Sequence, residues 1–195
     1  PRDERRTCVA NHRRVLHEGA VGVPFVGRQH DRLEPAHRQR HPVGLVLLAG
    51  DLYDRDWQDF HTGLFFREQV VRLDRAGIPV FIVQGNHDAQ GVISRELVLP
   101  SNATVLPSRH AATVRLEALS VAIHGRSFPD RAVDEDLVPS YPEPLPGYFN
   151  IGLLHTSLGG RPGHDRCAPT DVATLSAKGY DYWALGHVHR RELVC

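Results

Sequence analysis

Four apolar runs in the chain end in residues that can bind a metal or move a proton. They close on Gly50-Asp51, on Gly85-Asn86-His87-Asp88, on His155, and on Gly186-His187-Val188-His189. Polar groups at the end of a buried strand are costly unless satisfied, so packing alone does not explain Gly-Asn-His-Asp directly after Val80 to Val83. Ligands in open α/β sheets gather beyond the carboxyl ends of the strands. With the four ends side by side, Asp51, Asn86, His155, His187 and His189 would converge as a carboxylate, an amide oxygen and three imidazoles. Such a mixed oxygen and nitrogen set suits Mn²⁺, Fe²⁺ or Zn²⁺, whereas Mg²⁺ favours oxygen throughout. Gly50, Gly85 and Gly186 each precede a ligand candidate, where a missing Cβ permits close approach of backbone to an ion or phosphate. His187 and His189 stand two apart, so on an extended segment both would share one face. Taken singly, Gly-Asp reads as a turn and His155 as a core histidine; the ordered set of four is what points to a site.

The elements that must carry these groups can be read around them. "VGLVLLAGD" (43–51) is a continuous apolar run, expected to be a strand buried on both faces. Residues 59–77 predict a helix, with Leu64, Phe65, Val70, Val71 and Leu73 roughly at helical spacing and Gly77 as C-cap. Residues 78–88 are a second buried strand, and strand, helix, strand in this length predicts a parallel pair. Residues 113–128 alternate, which suggests antiparallel strands around Glu117-Ala118-Leu119. The stretch 129–147, with five prolines and several acidic residues, is expected to be a surface loop. Strands at 148–157 and 180–189 follow, separated by a loop at 159–170 and a short helix capped by Thr170 or Asp171 and stopped by Gly179. The class is therefore α/β. Residues 1–42 carry nine Arg and five His with little apolar periodicity, and only 19–27 could form a short strand. This segment is expected to be atypical, disordered or frame-damaged, with a domain over 43–195 that is incomplete at its C-terminus.

Bulk composition narrows the class. A length of 195 residues suits one domain with a real core. Net charge is zero, so no global field draws the chain to nucleic acid or membrane, and any polyanion contact needs a local patch. Arg126, Arg161 and Arg166, in or beside predicted loops, are the candidates for backbone phosphates. Cys8, Cys167 and Cys195 form neither a metal-spaced pair nor a disulfide framework, which suggests a reducing compartment. No apolar run reaches 18 residues and no leader is visible, so no membrane association and a cytoplasmic location are expected. The sequence lacks methionine and stops just after the histidine motif, as expected of a fragment cut at both ends.

"GDLYD", "GNHD", "LLHTS" and "GHVH", in that order, resemble the calcineurin-like metallophosphoesterase superfamily. The longer stretches "AGDLYDRDWQDFHTGLFF", "IPVFIVQGNHDA", "VAIHGRSF", "FNIGLLHTSLGGRPGH" and "KGYDYWALGHVH" resemble bacterial SbcD-like DNA repair exonucleases of the YhaO type, over residues 43 to about 192. The resemblance implies a two-sheet sandwich flanked by helices, with mixed parallel and antiparallel strands. It implies two divalent ions, Mn²⁺ first and Fe²⁺ or Zn²⁺ as alternatives. Asp51 would bridge both; Asn86, His155 and His187 would complete one shell, and His189 would bind the other ion. His87 would face the phosphate as acid or charge stabiliser, with Asp88 orienting it. Two such ions activate a shared water and clamp a phosphodiester for in-line attack.

The Asp-x-His with which the superfamily opens is absent from residues 1–50. Asp59-Phe60-His61 has the right letters, but it follows the Gly-Asp motif where a helix should start, so N-capping is its expected role. The first ion is then underligated unless His12, His17, His30 or Asp31 substitutes. The expected function is a metal-dependent phosphodiester hydrolase, an exonuclease-like enzyme of DNA repair, partnered by DNA and by an SMC-like ATPase through a region beyond this chain. The alternatives are a metallophosphatase or phosphodiesterase for small substrates, and a catalytically impaired binding fragment.

Overall fold

The computed structural model describes residues 8–11, 20–24, 43–53, 60–89, 97–159, 167–188 and 192–194. Among these residues the strands are β1 (Cys8–Asn11), β2 (Ala20–Pro24), β3 (Val43–Ala49), β4 (Val80–Val83), β5 (Ala103–Val105), β6 (Ala112–Leu116), β7 (Val121–Gly125), β8 (Phe149–His155), β9 (Tyr182–Gly186) and β10 (Glu192–Val194). The α-helices are α1 (Phe60–Arg75) and α2 (Val172–Ala177). One sheet has six strands in the order β10-β1-β9-β8-β7-β6, and the other has four in the order β2-β3-β4-β5. Parallel pairs (β3 with β4, β4 with β5, β7 with β8, β8 with β9, β1 with β9) are mixed with antiparallel ones (β2 with β3, β6 with β7, β1 with β10). This is the expected α/β sandwich of two mixed sheets. No helix among the described residues is long and apolar enough to cross a membrane.

The continuous apolar runs have a simple cause. Along β3, Leu45, Leu47 and Ala49 enter the core between the sheets, where they meet Phe81, Val83, Ile123, Ile151, Leu153 and Ala184. Val46 and Leu48 face the other way and join Val80, Ile82 and Val70 beneath α1. A strand covered on both faces needs apolar residues at every position. Each fully buried aliphatic side chain contributes about 1.5–3 kcal/mol.

Helix α1 forms where expected, but with a different phase. Phe66, Val70 and Leu73, spaced four and three apart, meet the sheet. Leu64 and Phe65 stand 51% and 47% exposed, contrary to the stripe read from sequence. Residues 64 and 65 lie on other sides of a cylinder with 3.6 residues per turn. Gly77 closes the helix at φ 67°, and Ile78 N–H donates to Leu73 O at 2.9 Å.

The stretch 129–147 is not simply a surface loop. Val133, Leu137, Val138 and Tyr141 are buried with Trp183, Leu185 and Leu175 of α2 on the outer face of the six-stranded sheet. The Tyr141 hydroxyl donates to Leu153 O at 2.9 Å. Prolines prevent strand pairing here, but the apolar residues between them still bury. Asp171 caps α2 by accepting from Thr174 N–H at 2.7 Å. Strand β2 lies inside the 19–27 stretch; β1, which the sequence reading lacked, runs parallel to β9 with Val9 opposite Trp183.

Candidate metal centre

Strands β3, β4, β8 and β9 all deliver their carboxyl ends to one edge. The two sheets close tightly there, because a Cβ at Gly85 would stand 2.7 Å from His155 Cε1 and one at Gly186 would stand 1.8 Å from Ala49 O. Only glycine permits these approaches. Past β3 and β9 the backbone enters the left-handed region: Asp51 has φ 53° and His187 φ 88°. Left-handed backbone in a non-glycine residue costs roughly 1–3 kcal/mol and concentrates at functional sites.

Asp51, His155 and His187 each offer a ligand atom within 4.8 Å of the other two. Donors held about 2.1 Å from one ion stand roughly 3–4 Å apart, so the cluster is of the right size. His155 is fully buried, and its Nδ1 donates to Ala49 O at 2.8 Å. Nε2 lies 3.0 Å from Asn86 Oδ1 and 3.3 Å from Asp51 Oδ2. With its Nε2 proton displaced, His155 would join Asp51 and Asn86 as electron-pair donors around one cation. The residues fit a divalent ion, which Asp51, Asn86, His155 and His187 would hold. Phe128 packs on His155 with the rings nearly perpendicular and their centroids 5.3 Å apart.

Two carboxylates in the site differ. Burial pushes Asp51 up, but the hydrogen bond and charge of His155 and the His87 amide outweigh it and hold the group below its ordinary 3.8. Burial pushes Asp88 up to about 6, against the opposing amides of Gly85 and Leu52. The Asp88 carboxylate accepts from the N–H groups of Leu52 at 2.9 Å, Gly85 at 3.1 Å and Tyr53 at 3.2 Å. Its hydrogen bonds to these backbone amides give it work other than the holding of His87 implied by the resemblance. His87 is half-buried beside the cluster, and its own amide donates to Asp51 Oδ1 at 3.1 Å.

The remaining candidates fare differently. His189, Arg161 and Arg166 lie outside the described residues, as do Asp59, His12, His17, His30 and Asp31. His187 itself has φ 88°, so the backbone is not extended at that residue. Arg126 turns its guanidinium to Ser108 O at 3.1 Å and Ser140 Oγ at 3.4 Å, with Glu135 3.8 Å away. Sequence reasoning missed Phe128 and the Ala49 carbonyl. The first was visible as the phenylalanine closing "HGRSF"; the second is a backbone atom with no letter of its own.

With the geometry established, the chain can be set beside known proteins. Residues 16–191 match the family described as calcineurin-like phosphoesterase. The chain belongs to that family. It is 35% identical over 158 residues, 80% of its length, to the uncharacterized metallophosphoesterase YhaO of Bacillus subtilis. It is 26% identical over 164 residues, 75% of its length, to the DNA double-strand break repair protein Mre11 of Methanopyrus kandleri. It is 29% identical over 72 residues, 36% of its length, to one subunit of the nuclease SbcCD of Escherichia coli. The matches span 39%, 36% and 18% of those proteins' own lengths.

Proposed function

We propose that this phosphoesterase domain is a metal-dependent phosphodiester hydrolase, and that the whole protein acts as an exonuclease-like enzyme on DNA. The observation that carries the reading is the meeting of Asp51, His155 and His187, each offering a ligand atom within 4.8 Å of the others, with Asn86 Oδ1 3.0 Å from His155 Nε2. A bound Mn²⁺, Fe²⁺ or Zn²⁺ would neutralise phosphoryl oxygens and lower the pKa of water. Asp51 and Asn86 supply oxygen, and His155 is held in one tautomer by Ala49 O. His87, half-buried at the rim, is placed to donate a hydrogen bond to a phosphoryl oxygen or a proton to the leaving alkoxide. A second ion would take Asp51 and His189, with Mn²⁺ as the expected metal at both positions.

DNA as the substrate is supported by the names of two relatives, one a DNA double-strand break repair protein and one a component of a nuclease. That the second works as one part of an assembly also supports a partner chain, for which an SMC-like ATPase is our proposal. One observation favours the small-substrate alternative. Arg126, the described cation offered to phosphates, is committed to Ser108 and Ser140. The deciding experiment titrates Mn²⁺ by calorimetry and then compares cleavage of linear DNA with that of bis(p-nitrophenyl) phosphate at rising salt. Salt-sensitive DNA cleavage is the expected result. Turnover of the aryl diester alone would favour the alternative, and no Mn²⁺ uptake would end the metal reading.

A further inference from the structure

Asp88 and Asp51 sit on different loops, and each carboxylate binds the other's loop. Asp51 follows β3 and accepts from the amide of His87 in the loop after β4. Asp88, in the loop after β4, accepts from Leu52 and Tyr53 in the loop after β3 and from Gly85 at the start of its own. Asp88 is only 1% exposed, so these amides are the partners that satisfy a buried carboxylate. The amides it holds at 52 and 85 adjoin Asp51 and Asn86 directly. Asp51 itself has positive φ, a conformation that persists only when its surroundings impose it.

We propose that Asp88 is a positioning residue: through backbone amides on both loops it sets Asp51 and Asn86 in ligating geometry before any ion arrives. This goes beyond the metal-binding reading and rests on it. It also departs from a role confined to His87, because the groups Asp88 orders are metal ligands.

The test combines Asp88→Asn with amide hydrogen exchange on the whole chain. The substitution is nearly isosteric but turns one acceptor oxygen into an NH₂ group, which opposes the amides now bound there. In metal-free wild-type protein, the amides of Leu52, Tyr53 and Gly85 should already exchange slowly. In Asp88→Asn they should lose protection locally, and the Kd for Mn²⁺ should rise roughly 10–100-fold, the usual loss when an outer partner of a ligand is removed. A lowered melting temperature with unchanged Mn²⁺ affinity in the folded protein would reduce Asp88 to a general stabiliser. Lost turnover with unchanged affinity would return it to His87; either result overturns the proposal. Should the variant fail to fold, the wild-type exchange decides: amides that become slow only after Mn²⁺ is added overturn it too. Absence of Mn²⁺ uptake by wild type would instead sink the metal reading, while slow amides would still report the interlock.

Discussion

Gly186 presses on the carbonyl of Ala49 where the two sheets meet, and that same carbonyl accepts the Nδ1 proton of His155 at 2.8 Å. One backbone oxygen thus couples sheet closure to the orientation of a candidate ligand. A Cβ at position 186 would fall 1.8 Å from it, a distance that backbone cannot absorb without moving. Gly186→Ala should force β3 and β9 apart, costing about 1–3 kcal/mol or more. The melting temperature should drop by roughly 2–4 °C per kcal/mol, and Mn²⁺ affinity should fall with it. Calorimetry of both quantities checks the coupling; a stability loss with normal Mn²⁺ binding would show that His155 is oriented independently.

His87 contributes its backbone amide to Asp51, and its half-buried side chain is the proposed proton donor. Alanine keeps the first and removes the second. His87→Ala should lower phosphodiesterase turnover by about 10²–10⁴, the range of one acid-base group, with Mn²⁺ affinity nearly intact. Released metal would contradict the assigned role.

The convergence of the ligand candidates was legible because each closes an apolar run, and both periodicity and polarity are properties of single letters. Asp51, Asn86, His155 and His187 are brought together as the strand endings suggested. The phase of α1 was harder to see. Leu64 and Phe65 are apolar and adjacent to the true stripe, and only the position of β3 and β4 selects Phe66, Val70 and Leu73. Burial of Val133 and Tyr141 was hidden among prolines and acids that look solvated. The interlocking amide bonds of Asp51 and Asp88 could not be read at all, since they depend on where two loops meet rather than on which residues compose them.

Asp51 is the carboxylate nearest the buried Nε2 of His155, and it uses Oδ1 on the His87 amide and Oδ2 toward His155. Asp51→Asn keeps the shape and removes the charge. Mn²⁺ affinity should fall at least about tenfold, in line with the loss of a charged contact worth more than 1.4 kcal/mol. Unaltered affinity and stoichiometry by calorimetry would count against Asp51 as a ligand.

The last prediction concerns a histidine outside the site. His124 is fully buried on β7, stacked on Tyr180 at 4.4 Å. The Asn150 amide beside it is oriented by backbone: Nδ2 donates to Leu145 O and Tyr148 O, and Oδ1 accepts from Leu145 N–H at 2.7 Å. Oδ1 therefore faces His124 Nε2 at 3.0 Å, and Nε2 must carry the proton. Nδ1 is left to accept from the Thr113 hydroxyl at 2.8 Å, so the neutral ring is fully satisfied. Burial holds His124 below its ordinary 6.5, opposed by Asn150 and reinforced by the charge of Lys178. In the unfolded chain the ring takes up its second proton near 6.5, whereas the folded protein resists until lower pH. Between those values the unfolded state binds more protons, so stability rises with pH there and is fully present above about 6.5. In thermal melts of chelator-treated protein between pH 7 and 5, His124 lowers the midpoint as pH falls, while Asp88, raised to about 6, acts the opposite way in wild type and variant alike. His124→Gln, which has no titrating ring, should lack the first effect; parallel curves for the two proteins would assign the acid sensitivity to another group.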